Sequence, residues 1–411
     1  MTPEARAAEF DAADPLSAYR ACFTLPAGVI YLDGNSLGAL PKATPEVLAR
    51  VVEQEWGEGL IRSWNANAFG RGWFAMAGRV GAKIAPLIGA APDEVIACDS
   101  TSVNLFKLIA AALHMRPGRT VILSEPGNFP TDLYMIAGLE AQGLATRRLA
   151  EREALVGALG DDVALLLLTH VHYKTGAMHD IAALTRAAHD AGALVLWDLS
   201  HSTGAVPVDL NAAGADFAVG CGYKYLCGGP GAPAFAFVAG RHHAALRQPL
   251  TGWFGHAAPF AFSDDYAPAP GIVQLQCGTP PVLGLAALEV GVELIAEIGV
   301  GRLHQKSQAL SAFFLACLAD HGVSLDCVSP ADSEARGSQL SFRHAHAYAI
   351  CQALIARGVI GDFRDPDVLR LGFAPAYLSF ADIAAAARHL AAVLASGEWR
   401  RPEFGRRAAV T

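Results

Sequence analysis

The chain is poor in charge and holds no long apolar run. Charged residues make up 17% of its 411 positions and hydrophobic ones 53%, so a sizeable core can form and extended disorder is excluded away from the ends. The longest apolar run in its middle, VALLLL at Val163–Leu168, is far short of the roughly 20 residues a membrane span needs, so no membrane partner is expected. Positive charge is the scarcer sign, with 31 Lys and Arg against 39 Asp and Glu and a net charge of −8, which argues against nucleic acid as the main partner. Cysteine is present but unorganised. None of the eight falls in a Cys-x-x-Cys pair, and the nearest two, Cys221 and Cys227, lack zinc spacing. Neither a disulfide framework nor a metal site is expected, and the thiols suit a reducing cytoplasm. The opening MTPEARAAEFDAADP is acidic and has no apolar stretch, so no secretory signal is expected. Repeats and low-complexity linkers are absent too, and the length suits one large domain with a smaller one.

What the sequence does have is alternation. EVIACD (94–99), TVILSE (120–125), DVALLLLTHV (162–171), ALVLWD (193–198), DFAVGCG (216–222) and APAFAFVAG read as buried strands. Between them lie helical stretches, one starting near Ser100 and one closed by Gly192, with a hydroxyl cap at the first and a helix-ending glycine at the second. Near-continuous apolar strands separated by helices predict an α/β fold with a mainly parallel sheet covered on both faces. Residues 30–285 are expected to form that large domain. Residues 286–411 form a smaller α+β one, with 1–29 packing against it. The arginine-rich tail EWRRPEFGRR reads as a solvated end.

In such sheets ligands bind beyond the carboxyl ends of the strands. Asp198 ends one strand and Lys224 follows the next. Thr101 and Ser102 open a helix, where free N–H groups and the helix dipole favour phosphate. Each alone has an ordinary explanation: a cap, a solvated lysine, helix capping. Together they meet three independent needs of pyridoxal phosphate: an amine for its aldehyde, a carboxylate for its ring nitrogen and donors for its phosphate. Lys224 sits in FAVGCGYKYLCGGPGAP between Tyr223 and Tyr225. If the strand continues, the two tyrosines face opposite ways and only Tyr223 shares the lysine's site. The glycines Gly222, Gly228 and Gly229 are expected to let the backbone turn tightly there.

The same residues carry a family resemblance. YLDGNSLGALPK (31–42), PGNFPTDLY (126–134), THVHYKTGAMHD (169–180), WDLSHSTGAVPVDL (197–210), GCGYKYLCGGPGAPAF, GWFGH (252–256), QCGTPPVLGLAALE and VLRLGFAPAYLSF (368–380) resemble the kynureninases, fold-type I pyridoxal-phosphate enzymes of the class V aminotransferase superfamily. The resemblance spans nearly the whole chain. It implies hydrolysis of L-kynurenine or its 3-hydroxy derivative to anthranilate or 3-hydroxyanthranilate and alanine. Lys224 would bind the cofactor and act as general base, Asp198 would pair with the ring nitrogen and Tyr223 would shuttle protons. It further implies Phe129 stacked on the ring, Thr101 and Ser102 on the phosphate with Tyr223 adding a hydroxyl, and Asp132, Thr169 and His201 completing the ring and phosphate shell. It implies a homodimer in which Trp253 and Thr279 reach the partner's phosphate. Arg370 would grip the amino-acid carboxylate, and Ser36, Trp64 and Gly278 would face the substrate's aromatic end. One departure is His172, where the family pattern leads us to expect Asn. A sister class V enzyme, a desulfurase or aminotransferase, is the alternative. A desulfurase needs a cysteine on a mobile loop, and the Tyr-Lys pair here differs from the His-Lys pair typical there. A cofactor-free scaffold would need neither the lysine, the aspartate nor the arginine.

Overall fold

The computed structural model describes residues 1–407. Its central sheet has seven strands: β1 (Val95–Ala97), β2 (Val121–Ser124), β3 (Thr146–Leu149), β4 (Val163–Thr169), β5 (Leu194–Asp198), β6 (Phe217–Gly220) and β7 (Phe235–Val238). Their spatial order is β1-β7-β6-β5-β4-β2-β3. The run from β3 through β2, β4 and β5 to β6 is parallel, and β7 alone runs antiparallel to both its neighbours. Every residue of β4, β5 and β6 is buried, which is why those strands read as unbroken apolar runs. Strand β3, Thr-Arg-Arg-Leu, is mostly exposed and gives no such signal. It forms the sheet's edge, where charge guards the unpaired backbone groups.

Helices α1 (Pro3–Ala13), α2 (Thr101–Met115), α3 (Pro130–Ala141), α4 (Ile181–Asp190), α5 (Val282–Ile298), α6 (Val300–Asp320) and α7 (Phe380–Ser396) include the crossovers of this sheet. The Ser100 hydroxyl caps α2 by accepting from the Val103 N–H at 3.3 Å. Gly192, at φ +76°, closes the α4 turn. No helix among the described residues is long and apolar enough to cross a membrane.

A second, antiparallel sheet holds β8 (Asp326–Cys327), β9 (Gln339–Arg343), β10 (Asp362–Arg364) and β11 (Val368–Gly372), in the order β8-β9-β11-β10. Its β10–β11 register sets Asp362 directly opposite Arg370. The N-terminal segment reaches this end of the molecule as well. Phe10 of α1 packs on Phe380 of α7 at 5.1 Å, and the Asp11 carboxylate accepts from the first N–H groups of α7 at 2.7 and 3.0 Å. Ile30–Tyr31 pairs in parallel with Val359–Ile360. The loop that follows, 33–38, then bridges to the main sheet: the Gly38 N–H donates to the Tyr223 carbonyl at 2.8 Å.

Candidate active site

The parallel register brings the chemistry to one edge. Thr169, the last residue of β4, stands opposite Asp198, the last of β5, and Asp198 stands opposite Val219 of β6. After Gly220 the strand stops. The chain folds into a tight turn in which the Cys227 N–H donates to the Lys224 carbonyl and the Gly228 N–H to the Gly222 carbonyl, each at 2.9 Å. So the strand does not continue through Lys224. The two tyrosines are separated by this turn rather than by strand alternation. Tyr223 lines the cavity beside Lys224. Tyr225 is buried, with its hydroxyl 3.5 Å from the Ser338 carbonyl. The turn is close-packed: a Cβ on Gly222 would stand 2.4 Å from the Pro233 carbonyl oxygen, so no larger residue fits there.

A cavity of about 220 Å³ opens at this edge. Asp198, Ser200, Thr169, Thr131, His201, Lys224, Tyr223, Phe129, Tyr173 and the α2 start at Ser100–Ser102 line it. The Lys224 ammonium lies 5.6 Å from the centre of the Phe129 ring. Tyr173 meets that ring edge-on at 5.3 Å. Asp132 is buried at the start of α3, behind the cavity wall. One of its carboxylate oxygens accepts from the Thr169 hydroxyl at 3.1 Å and the Asn128 amide at 3.2 Å. Asn128 also accepts from the Thr169 N–H at 3.0 Å.

Burial dominates the electrostatics. It lifts the Asp198 carboxyl above the ordinary carboxylate range, opposed by hydrogen bonds from Ser200 and by the Lys224 charge. Burial also raises Asp132, and the Asp198 carboxylate beside it raises it further. Burial and then the Lys224 charge push His201 well below its usual value, so its imidazole is neutral at physiological pH. The Tyr223 phenol is pushed up by burial and keeps its proton.

These features fit a phosphorylated pyridine aldehyde. His201, which lines the cavity, has a buried Nδ1 with no hydrogen-bond partner among the described residues, and buried polar groups seldom stay unpaired. A buried carboxylate, costly to keep charged, is suited to a cationic ring nitrogen. The α2 N-terminus offers unpaired N–H groups to a phosphate.

Arg370 is 1% exposed. A buried guanidinium needs a carboxylate, and Asp362 supplies it. Arg370 Nε donates to Asp362 Oδ1 at 2.8 Å, and Nη2 donates to Oδ2. Nη2 also donates to the Ser36 hydroxyl at 2.9 Å and Nη1 to the Tyr173 carbonyl at 2.6 Å. All three guanidinium nitrogens are therefore engaged, the Nε–Nη2 edge by Asp362 and Nη1 by the Tyr173 carbonyl. Ser36, expected at the substrate's aromatic end, instead sits against this arginine and Asp362.

Trp64, Gly278, Trp253 and Thr279 do not line the Lys224 cavity of a single chain. Trp64 packs on Trp73 at 5.7 Å and on Phe254 at 5.8 Å, and Trp253 packs on the same Phe254 at 4.6 Å. Gly252 lies so close to Cys277 that a Cβ would sit 1.5 Å from its carbonyl oxygen. The four residues thus share one face, with Gly278 and Thr279 exposed and Trp253 42% exposed. His172 touches none of the residues read as chemical. Its Nε2 lies 2.8 Å from the Gly127 carbonyl and its Nδ1 accepts from the Thr175 N–H at 3.2 Å, which ties the loop before Phe129 to the turn after β4.

Sequence reasoning missed Asn128, Tyr173, Asp362 and Arg364. For the last two a signal existed: GDFRD (361–365) sets charges in a stretch flanked by apolar strands.

The comparisons agree with one another. A family model described as the kynureninase C-terminal domain matches residues 303–390. A kynureninase of Burkholderia mallei (strain SAVP1) is 50% identical over 420 residues, covering all of both chains. One from Pseudomonas fluorescens is 46% identical over 422 residues with the same full coverage. Among solved structures, an apo cysteine desulfurase from Thermococcus onnurineus NA1 superposes with TM-score 0.79 at 18% identity, covering 92% of this chain and 98% of its own. A C-DES mutant with glycine covalently linked to its PLP cofactor gives 0.78 at 18% identity, covering 90% and 98%. At such identities the structures show the fold alone, a large sheet covered by helices of the fold-type I kind.

Proposed function

The chain belongs to the kynureninase family, and from that premise we propose how its residues carry out the family's reaction. It is a pyridoxal-phosphate-dependent hydrolase that cleaves the Cβ–Cγ bond of kynurenine, giving anthranilate and alanine. When bound, the cofactor supplies an electron sink for the substrate's α-carbon.

Lys224 Nζ would hold the cofactor's aldehyde end and, when free of it, would accept the substrate's α-proton as general base. Asp198 would pair with the ring nitrogen and keep it protonated. Phe129 would cover a ring face, with Thr169 and the neutral His201 closing the ring's surroundings. Asp132 orients Thr169. Thr101 and Ser102 would bind the phosphate at the α2 start. The Tyr223 phenol, protonated at rest, would donate its proton to Cβ as the Cβ–Cγ bond breaks and recover one from the hydrate that water forms at the γ-ketone. Arg370, with Ser36 beside it, would hold the amino-acid carboxylate in place of part of its present pairing.

The face shared by Trp64, Trp253, Gly278 and Thr279 completes the site from a second copy of the chain: Trp253 and Thr279 toward the partner's phosphate, Trp64 and Gly278 toward the aryl end of its substrate. A monomer by light scattering that retains full turnover would contradict this homodimer. We read residues 30–285 as the cofactor domain and 286–411 as the smaller one, with 1–29 packed against it. The protein works in the cytoplasm, a compartment that suits its free thiols.

The observation that carries this reading is the convergence of Lys224, Asp198, Phe129 and the α2 start on one cavity. Neither cysteine weighed for a desulfurase reading sits on a loop: Cys351 is buried in a helix and Cys327 lies on β8. The test is a spectral titration with pyridoxal phosphate. The protein should acquire the absorbance of a lysine-bound cofactor and Lys224→Ala should not. A variant that keeps the bound-lysine spectrum overturns the assignment.

A further inference from the structure

Four charged side chains meet between the 33–38 loop and the small sheet. Asp362 receives Arg370, as described, and also Arg364 at 2.7 Å and the Ser36 hydroxyl at 2.8 Å. The second acid is Asp33, whose Oδ1 is buried without a hydrogen-bond partner among the described residues. With both acids ionised, two carboxylates balance two guanidiniums and the cluster is neutral. An amino acid's carboxylate entering beside Arg370 would leave one buried negative charge uncompensated, which is strongly unfavourable.

We propose that Asp33 takes up one proton from solvent when the amino acid's carboxylate binds beside Arg370, and releases it when that carboxylate leaves. The site thus admits the anion together with a proton. Asp33 acts as a positioning residue, setting the charge of the cluster that Arg370 presents. The inference rests on the reading of Arg370 as the carboxylate-binding residue.

The surroundings leave Asp33 as the group that responds. Burial, and then the Asp362 carboxylate, push Asp33 up to about 7, against the pull of Ser36 and Arg370. Asp362 goes the other way: burial raises it, but the two arginines and Ser36 outweigh burial and hold it below the usual carboxylate range. The other titratable groups that feel Asp33 are Tyr31 on its own segment, Tyr225 beside Lys224, Tyr377 after β11 and Cys351 on the helix behind β10. Burial pushes every one of them up, so all are neutral near pH 7. The cations facing Asp33 are Arg364 and Arg370.

The linkage has a definite sign. Above about pH 7 Asp33 is ionised in the free protein, so binding must recruit a proton, and affinity falls about tenfold per pH unit from this source. Below pH 7 the proton is already present and no penalty remains.

The test uses the holoenzyme and L-alanine, the amino-acid product. Calorimetric titrations in two buffers of unlike ionisation enthalpy, at pH 6 and pH 8, count protons exchanged. Wild type should take up about one more proton at pH 8 than at pH 6. Asp33→Asn should show no such difference, and its ratio of affinity at pH 8 to that at pH 6 should be about tenfold higher than the wild-type ratio. Asp33→Glu should restore the wild-type count. The same count and ratio in Asp33→Asn as in wild type overturns the proposal. If Asp33→Asn does not fold, the infrared difference spectrum of wild type on adding alanine at pH 8 decides. A gain in protonated-carboxyl absorption supports the proposal and no gain overturns it. Arg370→Lys separates the two levels. Alanine binding undiminished in that variant refutes the reading of Arg370, whereas binding that needs Arg370 without a proton linked to Asp33 refutes this inference alone.

Discussion

Gly38 offers the sharpest structural perturbation, because the loop carrying Ser36 touches the Lys224 turn there. A methyl group at Gly38 would stand 2.2 Å from the Lys224 carbonyl oxygen, 2.7 Å from Cys227 Sγ and 2.8 Å from Cys227 Cα. Two of those three atoms are backbone, and Cys227 already holds a left-handed φ of +53°, so the turn has little freedom to give way. Reaching ordinary contact distance requires a shift of about 1 Å at Lys224 or in the loop. Overpacking of this kind costs about 1–3 kcal/mol. A displacement of about 1 Å at a catalytic group can cost about 100-fold in rate. Gly38→Ala is therefore expected to lower the melting temperature and to reduce kcat/KM by about two orders of magnitude. Gly78→Ala is the control. Gly78 lies inside the helix Met76–Ile84 with open space where its Cβ would go, so alanine there should stabilise by about 0.5–1 kcal/mol and leave turnover intact. Thermal melts and initial rates of anthranilate formation read both. A Gly38→Ala protein with wild-type melting and kcat/KM within about threefold of wild type would refute the reasoning.

The two tyrosines beside Lys224 should separate cleanly. Tyr223→Phe should lower kcat in steady-state assays, while Tyr225→Phe, whose hydroxyl makes one long bond to Ser338, should cost at most about 1 kcal/mol of stability and leave kcat near wild type. Acid stability should depend on Asp216. Burial raises its carboxyl, but hydrogen bonds from His242, His189 and the Val195 N–H outweigh burial and hold it down to about 2. A carboxyl held below its unfolded value stabilises fully above about pH 4, and that contribution, about 2 kcal/mol, is lost as pH falls through 2. Unfolding free energies measured from pH 6 to pH 2 should fall more steeply for wild type than for Asp216→Asn. Parallel curves would contradict the role.

The large sheet was legible because its strands are buried on both faces, so β4, β5 and β6 appear as apolar runs ending in Thr169, Asp198 and the approach to Lys224. Strand β3 was not legible, since an exposed edge strand such as Thr-Arg-Arg-Leu carries no burial pattern. The site was legible where one residue type meets one chemical need: Lys224, Asp198 and the hydroxyls at the α2 start. It was less so where function depends on pairing across sequence-distant strands. Nothing local to Arg370 reveals that Asp362 faces it across β10 and β11, and nothing in YLDGNSLG reveals that Asp33 joins that cluster. Trp64 and Gly278 show a further limit. Their place depends on which surface packs against which, and in one chain they lie on an aromatic face away from Lys224.

The central claim is that this chain hydrolyses kynurenine through Lys224. Purified protein, loaded with pyridoxal phosphate and mixed with L-kynurenine, should generate the fluorescence of anthranilate with stoichiometric alanine, and Lys224→Ala under the same conditions should generate neither. Loaded wild-type protein that leaves kynurenine intact, or a Lys224→Ala variant that turns it over at the wild-type rate, would contradict the account.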